Sequence, residues 1–254
     1  MQYSRMPEMF EKSKLLYWRL FIPMTIKKCY KIGTVSKFSK SEIKIKFPDV
    51  DKKIFVTVEG VRQSLTKNCY KTNKEKFILS VLSFGRHKNL NRLVDAIFLL
   101  KNTHPNIKCK LVGDVRTEFD KHAKEELMNK IEKLDLIDNI DFLGYVTDEL
   151  LAELYASCDL YVFPSLYEGF GLPIIEAQYN NAPVVCSNVA SLPEIGGNAC
   201  IYFDPYSPKD IANKITEVLN SQEKKSKLIN LGRQNIKNYT WRKAAKQLIF
   251  NITT

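Results

Sequence analysis

Residues 77–113, FILSVLSFGRHKNLNRLVDAIFLLKNTHPNIKCKLVG, decide the fold, because they predict a strand, a helix and a second strand in immediate succession. The runs 77–84 and 106–113 are short and rich in apolar residues, as in buried strands. Between them, residues 89–102 repeat apolar side chains at three- and four-residue intervals, the period of a helix with one buried face. A strand, a crossover helix and a further strand form the unit of a parallel sheet.

The same alternation continues downstream as far as residue 221. Thr117, Thr147 and Ser207 precede three of the later helices as N-caps. The pattern predicts an α/β fold with a doubly wound, Rossmann-like parallel sheet, whose ligands bind beyond the carboxyl ends of the strands. We therefore expect the chemistry in the loops after residues 84, 113, 144, 165 and 187. Further strands are predicted at 139–144, 159–165, 182–187 and 200–204, and helices at 117–135, 147–158, 173–180, 191–195 and 207–221.

The first 60 residues predict a separate, partial N-terminal α/β segment. Their pattern indicates a helix near 7–28, a strand at 31–36, a helix around 38–46 and a strand at 54–58. Two strands are too few for a parallel sheet with its own core, so we expect the end of a second doubly wound domain.

Composition excludes several classes of protein. With 254 residues, 44% of them hydrophobic and 26% charged, the chain is neither disordered nor collagen-like. Its six cysteines form no CxxC pair, so neither a zinc site nor a disulfide framework is predicted, and a reducing cytoplasm fits best. The longest apolar run, residues 15–26, is interrupted by Arg19 and Pro23 and is shorter than the roughly 20 residues of a membrane span.

The net charge of +11 is concentrated at the two ends of the chain. Residues 1–60 carry 13 Lys/Arg and six Asp/Glu, and residues 209–254 carry ten and three. No nucleic-acid-binding module with interleaved aromatic residues accompanies these charges, so no nucleic-acid partner is predicted. Two interpretations stay open: the ends share a face that meets an anionic membrane surface, or the lysines solvate ordinary surface helices.

The segment YEGFGLPIIEA, residues 167–177, carries the candidate chemistry. Gly169 and Gly171 predict a tight turn directly after a strand, and Pro173 suits the first turn of a helix. A glycine loop that leads into a helix N-terminus offers free N–H groups to phosphate, while Glu168 and Glu176 can accept hydrogen bonds from sugar hydroxyls. Read alone, the loop is also compatible with a structural role, since glutamates near a helix start interact with the helix dipole.

Together with its surroundings, this segment resembles the donor half of the family 4 glycosyltransferases, which are retaining enzymes of the GT-B fold. Glu168 and Glu176 match the family's two glutamates separated by seven residues. FGRHKN (84–89) is similar to its Gly-Arg…Lys-Asn segment. The resemblance covers roughly residues 30–250, and its other carriers are DLYVFPSLYEGFGLPIIEAQ (159–178), PVVCSNVASLPEI (183–195) and FDP (203–205).

The resemblance implies a role for each site residue. Arg86 and Lys88 would be catalytic cations that stabilise the departing nucleoside diphosphate without a metal, and Glu168 would contact the transferred sugar. Glu176 would bind the ribose hydroxyls. Glu194 matches a common family position, for which packing or capping is an equal alternative. The remaining donor-binding residues would be Gly85 at the diphosphate, Tyr145 and Val146 at the base, and Gly169, Phe170, Gly171 and Leu172 in the glycine loop.

The resemblance also implies a domain organisation and a function. Residues 1–62 would be the end of an acceptor domain with its linker, 63–237 the donor-binding domain, and 238–254 a helix that crosses back. The implied reaction is transfer of a hexose from a nucleotide diphosphate sugar, such as UDP- or GDP-hexose, to a glycan or lipid-linked acceptor in polysaccharide biosynthesis. No cofactor or metal is expected, and the implied location is cytoplasmic, peripheral on the inner face of a membrane. The alternative is a non-catalytic nucleotide-sugar-binding subunit that needs a second polypeptide.

Overall fold

The computed structural model of the chain describes residues 2–7, 12–61, 75–81, 83–115 and 117–254. The helices are α1 Gln2–Arg5, α2 Lys12–Lys28, α3 Lys37–Lys46, α4 Leu90–Lys101, α5 Glu118–Lys133, α6 Asp148–Ser157, α7 Leu172–Tyr179, α8 Leu192–Gly196, α9 Pro208–Leu219, α10 Gln222–Asn235 and α11 Trp241–Thr253. The strands are β1 Ile32–Thr34, β2 Ile54–Val56, β3 Ile78–Val81, β4 Cys109–Val112, β5 Ile140–Gly144, β6 Leu160–Phe163, β7 Val184–Ser187 and β8 Cys200–Phe203.

Strands β3 to β8 form one parallel sheet in the order β5-β4-β3-β6-β7-β8. The chain thus builds outward from β3 on one side, returns to the centre, and builds outward from β6 on the other. This is the doubly wound order that the alternation of strands and helices predicts, and the fold class is confirmed. Ile78 of β3 pairs with both Cys109 of β4 and Leu160 of β6, so the centre of the sheet is in register.

Both faces of this sheet are buried. Ile78 belongs to the apolar cluster on one face and its neighbour Leu79 to the cluster on the other. Val162 and Phe163 of β6 divide in the same way. Successive strand residues point to opposite faces, so a strand covered on both sides must be apolar at nearly every position, as is the central strand β6, whose four residues are all buried.

The predicted helix starts are confirmed by their hydrogen bonds. Thr117 Oγ1 accepts from the amide of Asp120 at 3.1 Å, and the Asp120 carboxylate accepts from the amide of Thr117 at 3.1 Å, which completes a capping box at α5. Thr147 caps α6 and Ser207 caps α9. Two helices were not predicted: the short α1, and α10, which is mostly polar and begins directly after α9, at the N-cap Ser221.

The N-terminal segment carries a second, two-stranded sheet. Its strands β1 and β2 pair in parallel, with Ile32 opposite Ile54. The predicted N-terminal helix begins at Lys12 in the structure, while residues 8–11 lie outside the described part of the chain. None of the helices that the structure describes is long and apolar enough to cross a bilayer.

Helix α11 packs against this N-terminal segment. Thr57 Oγ1 donates to the carbonyl of Ala244 at 3.1 Å, and Lys31 Nζ donates to the carbonyl of Asn251 at 2.7 Å. Gly60 lies so close to α11 that a Cβ there would stand 2.4 Å from the backbone nitrogen of Trp241. The two basic end segments of the sequence therefore contact each other.

Candidate functional site

The sheet reverses its order between β3 and β6, so the loops that follow these two strands face each other at its carboxyl edge. The loop after β3 holds Ser83 to Asn89, and the loop after β6 holds Pro164 to Gly171. These are two of the five loops in which the sequence predicts chemistry.

The loop after β3 is fixed by Asn89. Residues 86–88 form one turn of 3₁₀ helix, and Asn89 follows in the left-handed region with φ of 60°. Its side-chain Nδ2 donates to the carbonyls of Pro164 at 3.1 Å and Pro205 at 2.7 Å, while its Oδ1 accepts from Arg92 at 3.0 Å. Both donor hydrogens of the side-chain amide are used and its oxygen accepts one bond. This buried side chain therefore connects the loop to the ends of β6 and β8.

Lys88 and Glu168 join the two loops by an ion pair. Lys88 Nζ lies 2.6 Å from Glu168 Oε1, and the two side chains are only 14% and 17% exposed. The ammonium also lies 5.5 Å from the centroid of the Phe163 ring. Because both charges are mostly removed from water, the attraction between them is stronger than in a surface ion pair.

Glycine is required where the second loop enters α7. Gly171 has φ of +116°, and a Cβ on it would meet Leu192 Cδ2 at 2.9 Å. Such a φ is costly for any residue with a side chain. Gly169, the other glycine of the predicted turn, is not among the residues with positive φ, so only Gly171 needs this conformational freedom.

Glu176 lies on the second turn of α7 and is only 5% exposed. The hydroxyl of Tyr155 donates to its Oε2 at 3.4 Å. Tyr155 itself is fully buried, and burial, reinforced by Tyr161 and Glu176, raises the pKa of its phenol well above the usual value. The phenol therefore stays protonated and keeps its hydrogen to donate to the carboxylate.

A cleft of about 440 Å³ opens at this carboxyl edge, within the size range of small-molecule sites. Lys88, Tyr145, Val146, Leu172 and Glu176 all line it, so the structure brings five of the predicted site residues together, from the loop after β3, the loop after β5 and helix α7. The complete lining is Val81, Ser83, Lys88, Val112, Gly113, Asp114, Tyr145, Val146, Asp148, Leu151, Leu172, Pro173 and Glu176.

The other predicted residues lie around this cleft or away from it. Glu168 does not line the cleft itself but is bonded to Lys88, which does. Phe170 is buried in a small apolar cluster with Tyr239 and Ile175. Gly85 and the exposed Arg86 line a different cleft, of about 390 Å³, which faces α5. The structure thus places Lys88 and not Arg86 among the residues that line the first cleft.

His87 lies between these two cations but adds no charge at neutral pH. Burial, together with the neighbouring Lys88, lowers the pKa of its imidazole to about 4. A Cβ on Gly85 would stand 2.7 Å from its ring, so the absence of a side chain at position 85 gives the imidazole its space.

Sequence reasoning missed several residues of the site. Ser83, Asp114 and Asp148 line the cleft but belong to no motif that the sequence analysis used as a site. Their positions after β3, after β4 and at the first turn of α6 could have identified them, since these segments lie at the carboxyl ends of the strands, where such sheets bind ligands. Within the described residues no cluster of three or more His, Cys, Asp or Glu side chains could hold a metal ion.

Comparison with known proteins gives a consistent picture. A family model described as "Glycosyl transferases group 1" matches residues 62–235. O-antigen chain mannosyltransferase B of Escherichia coli is 31% identical over 254 residues, an alignment that includes 96% of this chain and 65% of that protein. O-antigen chain mannosyltransferase RfbU of Salmonella typhimurium is 28% identical, over 80% of this chain and 55% of that protein.

Among solved structures, HepE of Anabaena in complex with UDP and glucose has the same fold. The TM-score is 0.82 at 21% identity, over 97% of this chain and 68% of that one. The present chain therefore spans between about half and two thirds of the length of the curated relatives named above.

Proposed function

Because the chain belongs to the group 1 glycosyltransferases, we propose that the cleft between the loops after β3 and β6 binds a nucleotide sugar and that the chain transfers its hexose to a glycan or lipid-linked acceptor. One observation carries the proposal: a buried carboxylate, Glu176, and a largely buried cation, Lys88, line the same cleft at the reversal point of a doubly wound sheet. Carboxylates suit vicinal hydroxyls and a lysine suits phosphate, so together they match the ribose and the adjoining diphosphate of a nucleotide sugar.

In this proposal, each residue acts on a different part of the donor. Glu176 accepts hydrogen bonds from the ribose hydroxyls, and the backbone at Tyr145 and Val146 contacts the base. Lys88 and the N-terminal amides of α7 stabilise the negative charge that develops on the diphosphate as the bond to the sugar breaks. Glu168, next to Lys88, contacts the sugar. Arg86 lies at the neighbouring cleft, which leaves Lys88 as the principal cation of the leaving group.

Two finer features belong to the proposal. The relatives are named as mannosyltransferases of O-antigen chains, which favours mannose as the transferred sugar and a polysaccharide chain as the acceptor. Retention of the anomeric configuration follows from the resemblance of the Glu168 and Glu176 spacing to that of the retaining family. The enzymatic interpretation is favoured over a non-catalytic binding subunit because the similar proteins are named as transferases.

Titration of the purified chain with GDP, UDP and ADP tests donor binding directly. We expect one nucleoside diphosphate to bind with a preference over the other two, and to bind equally in EDTA. Incubation with GDP-mannose and an O-antigen-type oligosaccharide then tests transfer, and the anomeric coupling in the product's NMR spectrum tests retention. No binding of any nucleoside diphosphate would contradict the proposed function.

We also propose that the two basic end segments meet an anionic membrane surface. Helix α2 carries five Lys/Arg and no Asp/Glu, and Leu16, Leu20 and Met24 on it are each more than half exposed. Helix α11, which lies beside this segment, has no acidic residue and exposes Trp241 and Phe250. Cations beside exposed aromatic and aliphatic side chains are typical of interfacial helices. Sedimentation with vesicles containing phosphatidylglycerol should be strong at low salt and weak at high salt, and absent with neutral vesicles.

A further inference from the structure

The loop that carries Glu168 receives hydrogen bonds from two directions. The fully buried Ser191 shares its single hydroxyl hydrogen between the carbonyls of Glu168 and Phe170, which lie 2.9 and 2.7 Å from its Oγ. From the other side, the hydroxyls of Ser36 and Ser39 donate to the carbonyl of Gly169 at 2.6 and 3.0 Å. Three consecutive carbonyls of the loop are thus each held by a serine hydroxyl, and two of the serines belong to the N-terminal segment.

Glu194 holds the helix that supplies those two serines. Its Oε1 accepts from the amide of Lys37 at 2.8 Å, and its Oε2 accepts from the amide of Phe38 at 3.0 Å. These are the first two amides of α3, which have no acceptor within their own helix. A carboxylate at this position also interacts favourably with the positive end of the helix dipole. Glu194 therefore fixes both the position and the direction of the first turn of α3.

Aromatic and charged contacts support the same arrangement. The ring of Phe38 packs edge-on against Tyr167, directly before Glu168, at 5.5 Å between centroids. The hydroxyl of Tyr167 donates to Glu42 of α3 at 3.5 Å. Arg5 in turn binds both oxygens of Glu42, at 2.8 and 2.6 Å. The loop is thus connected to α3 by side-chain contacts of Tyr167 as well as by the hydrogen bonds to the Gly169 carbonyl.

We propose that Glu194 is a positioning residue of the donor site: it orients α3 so that Ser36 and Ser39 fix the Gly169 carbonyl, and thereby sets where Glu168 stands relative to Lys88. The inference rests on the proposed function of the cleft, since the sugar contact is assigned to Glu168. It adds that this contact depends on a residue that does not touch the donor and on a helix of the N-terminal segment.

Hydrogen exchange tests the positioning without any ligand. In Glu194→Ala, the amides of residues 167–172 should exchange several-fold faster than in the unaltered chain, because the loop loses the support of α3. Ser39→Ala should do the same while leaving α8 untouched, which provides a second variant if Glu194→Ala folds poorly. Ser221→Ala is the matched control, because it removes an N-cap bond of similar length, 3.2 Å to the amide of Lys224, on a different helix. Unchanged exchange of the loop in both test variants would overturn the proposal.

Ligand binding separates positioning from a general loss of structure. GDP-mannose affinity should fall about fivefold to tenfold in Glu194→Ala, which is less than the roughly 10- to 100-fold loss of a complete charge-assisted hydrogen bond, while GDP affinity is kept or rises. Glu194→Asp should recover part of the loss, because it keeps the charge at the helix start. Equal losses for GDP and GDP-mannose would indicate a merely structural role and overturn the proposal. Binding of neither ligand to the unaltered chain would instead refute the proposed function, and the exchange measurement would still decide the positioning.

Discussion

Glu168→Gln should strengthen the binding of a free nucleoside diphosphate while it impairs transfer. In the unliganded chain, Lys88 Nζ is bound to Glu168 Oε1 at 2.6 Å. A phosphate oxygen that approaches Lys88 must therefore share or displace a carboxylate that is already there. Glutamine keeps the shape of the side chain and one acceptor oxygen, but removes the negative charge that competes with the phosphate.

The size of the expected gain in GDP affinity follows from the energy of a hydrogen bond to a charged group. A hydrogen bond to a charged group contributes about 1.5–3 kcal/mol, which corresponds to roughly 10- to 100-fold in a binding constant. Since the glutamine oxygen still competes for the ammonium, we expect the lower end, about a tenfold gain in GDP affinity. The low exposure of both side chains, 14% and 17%, keeps water from screening most of the difference.

Isothermal titration with GDP at fixed ionic strength measures the gain, and initial rates with GDP-mannose measure transfer. Glu75→Gln is the matched control, because Glu75 also bonds a lysine, Lys110, at 2.6 Å and neither residue lines the cleft. The control should leave GDP affinity unchanged. If Glu168→Gln bound GDP as weakly as, or more weakly than, the unaltered chain, Lys88 would not be the cation that receives the diphosphate.

Three further changes test other parts of the site. Glu176→Ala should weaken GDP binding about 10- to 100-fold in the same titration, because it removes a charged acceptor from the cleft; an unchanged affinity would exclude this carboxylate from the nucleotide site. Gly171→Ala should lower the free energy of unfolding, measured in urea, by about 2–3 kcal/mol, since the φ of +116° and the 2.9 Å approach of Leu192 both oppose a side chain. The control Gly144→Ala, at a φ of +67° with open space around it, should lower it by only about 1 kcal/mol. Equal losses in the two variants would contradict the role of the Leu192 contact. Burial lowers the pKa of His87 to about 4, so between pH 6.5 and 4 the unfolded chain takes up a proton that the folded chain does not. The free energy of unfolding should therefore fall by up to about 3 kcal/mol as the pH drops from 6.5 to 4. His87→Asn should flatten this part of the pH profile.

The fold could be predicted because its information is local. Thr117 and Asp120 lie three residues apart and form the capping box that their spacing indicates. Ile78 and Leu79 are both apolar because each faces a different buried layer, which is the pattern of a central parallel strand. Helix α10 escaped prediction because its sequence, QEKKSKLINLGRQN, buries only Leu228 and Gly232, too few positions to give a clear helical period.

The site could be predicted only in part, because its decisive contacts join distant parts of the chain. Lys88 and Glu168 are 80 residues apart, and Glu194 is 157 residues from Lys37. No spacing rule relates such residues; only the strand order and the packing of α3 bring them together. Arg86 and Lys88 looked equivalent in the sequence, but the 3₁₀ turn at 86–88 separates them so that they line different clefts.

The hydrogen bonds of Asn89 have a practical meaning for any attempt to alter, by mutagenesis, the donor preference proposed for this cleft. A library over residues 83–89 would vary seven positions. Position 89 should be left out of it, since aspartate would present an oxygen to the carbonyls of Pro164 and Pro205, and a residue without a left-handed preference would oppose φ of 60°. Ser83 and the residues after β4 and β5 that line the cleft are better positions for a library, because they border the proposed ligand space.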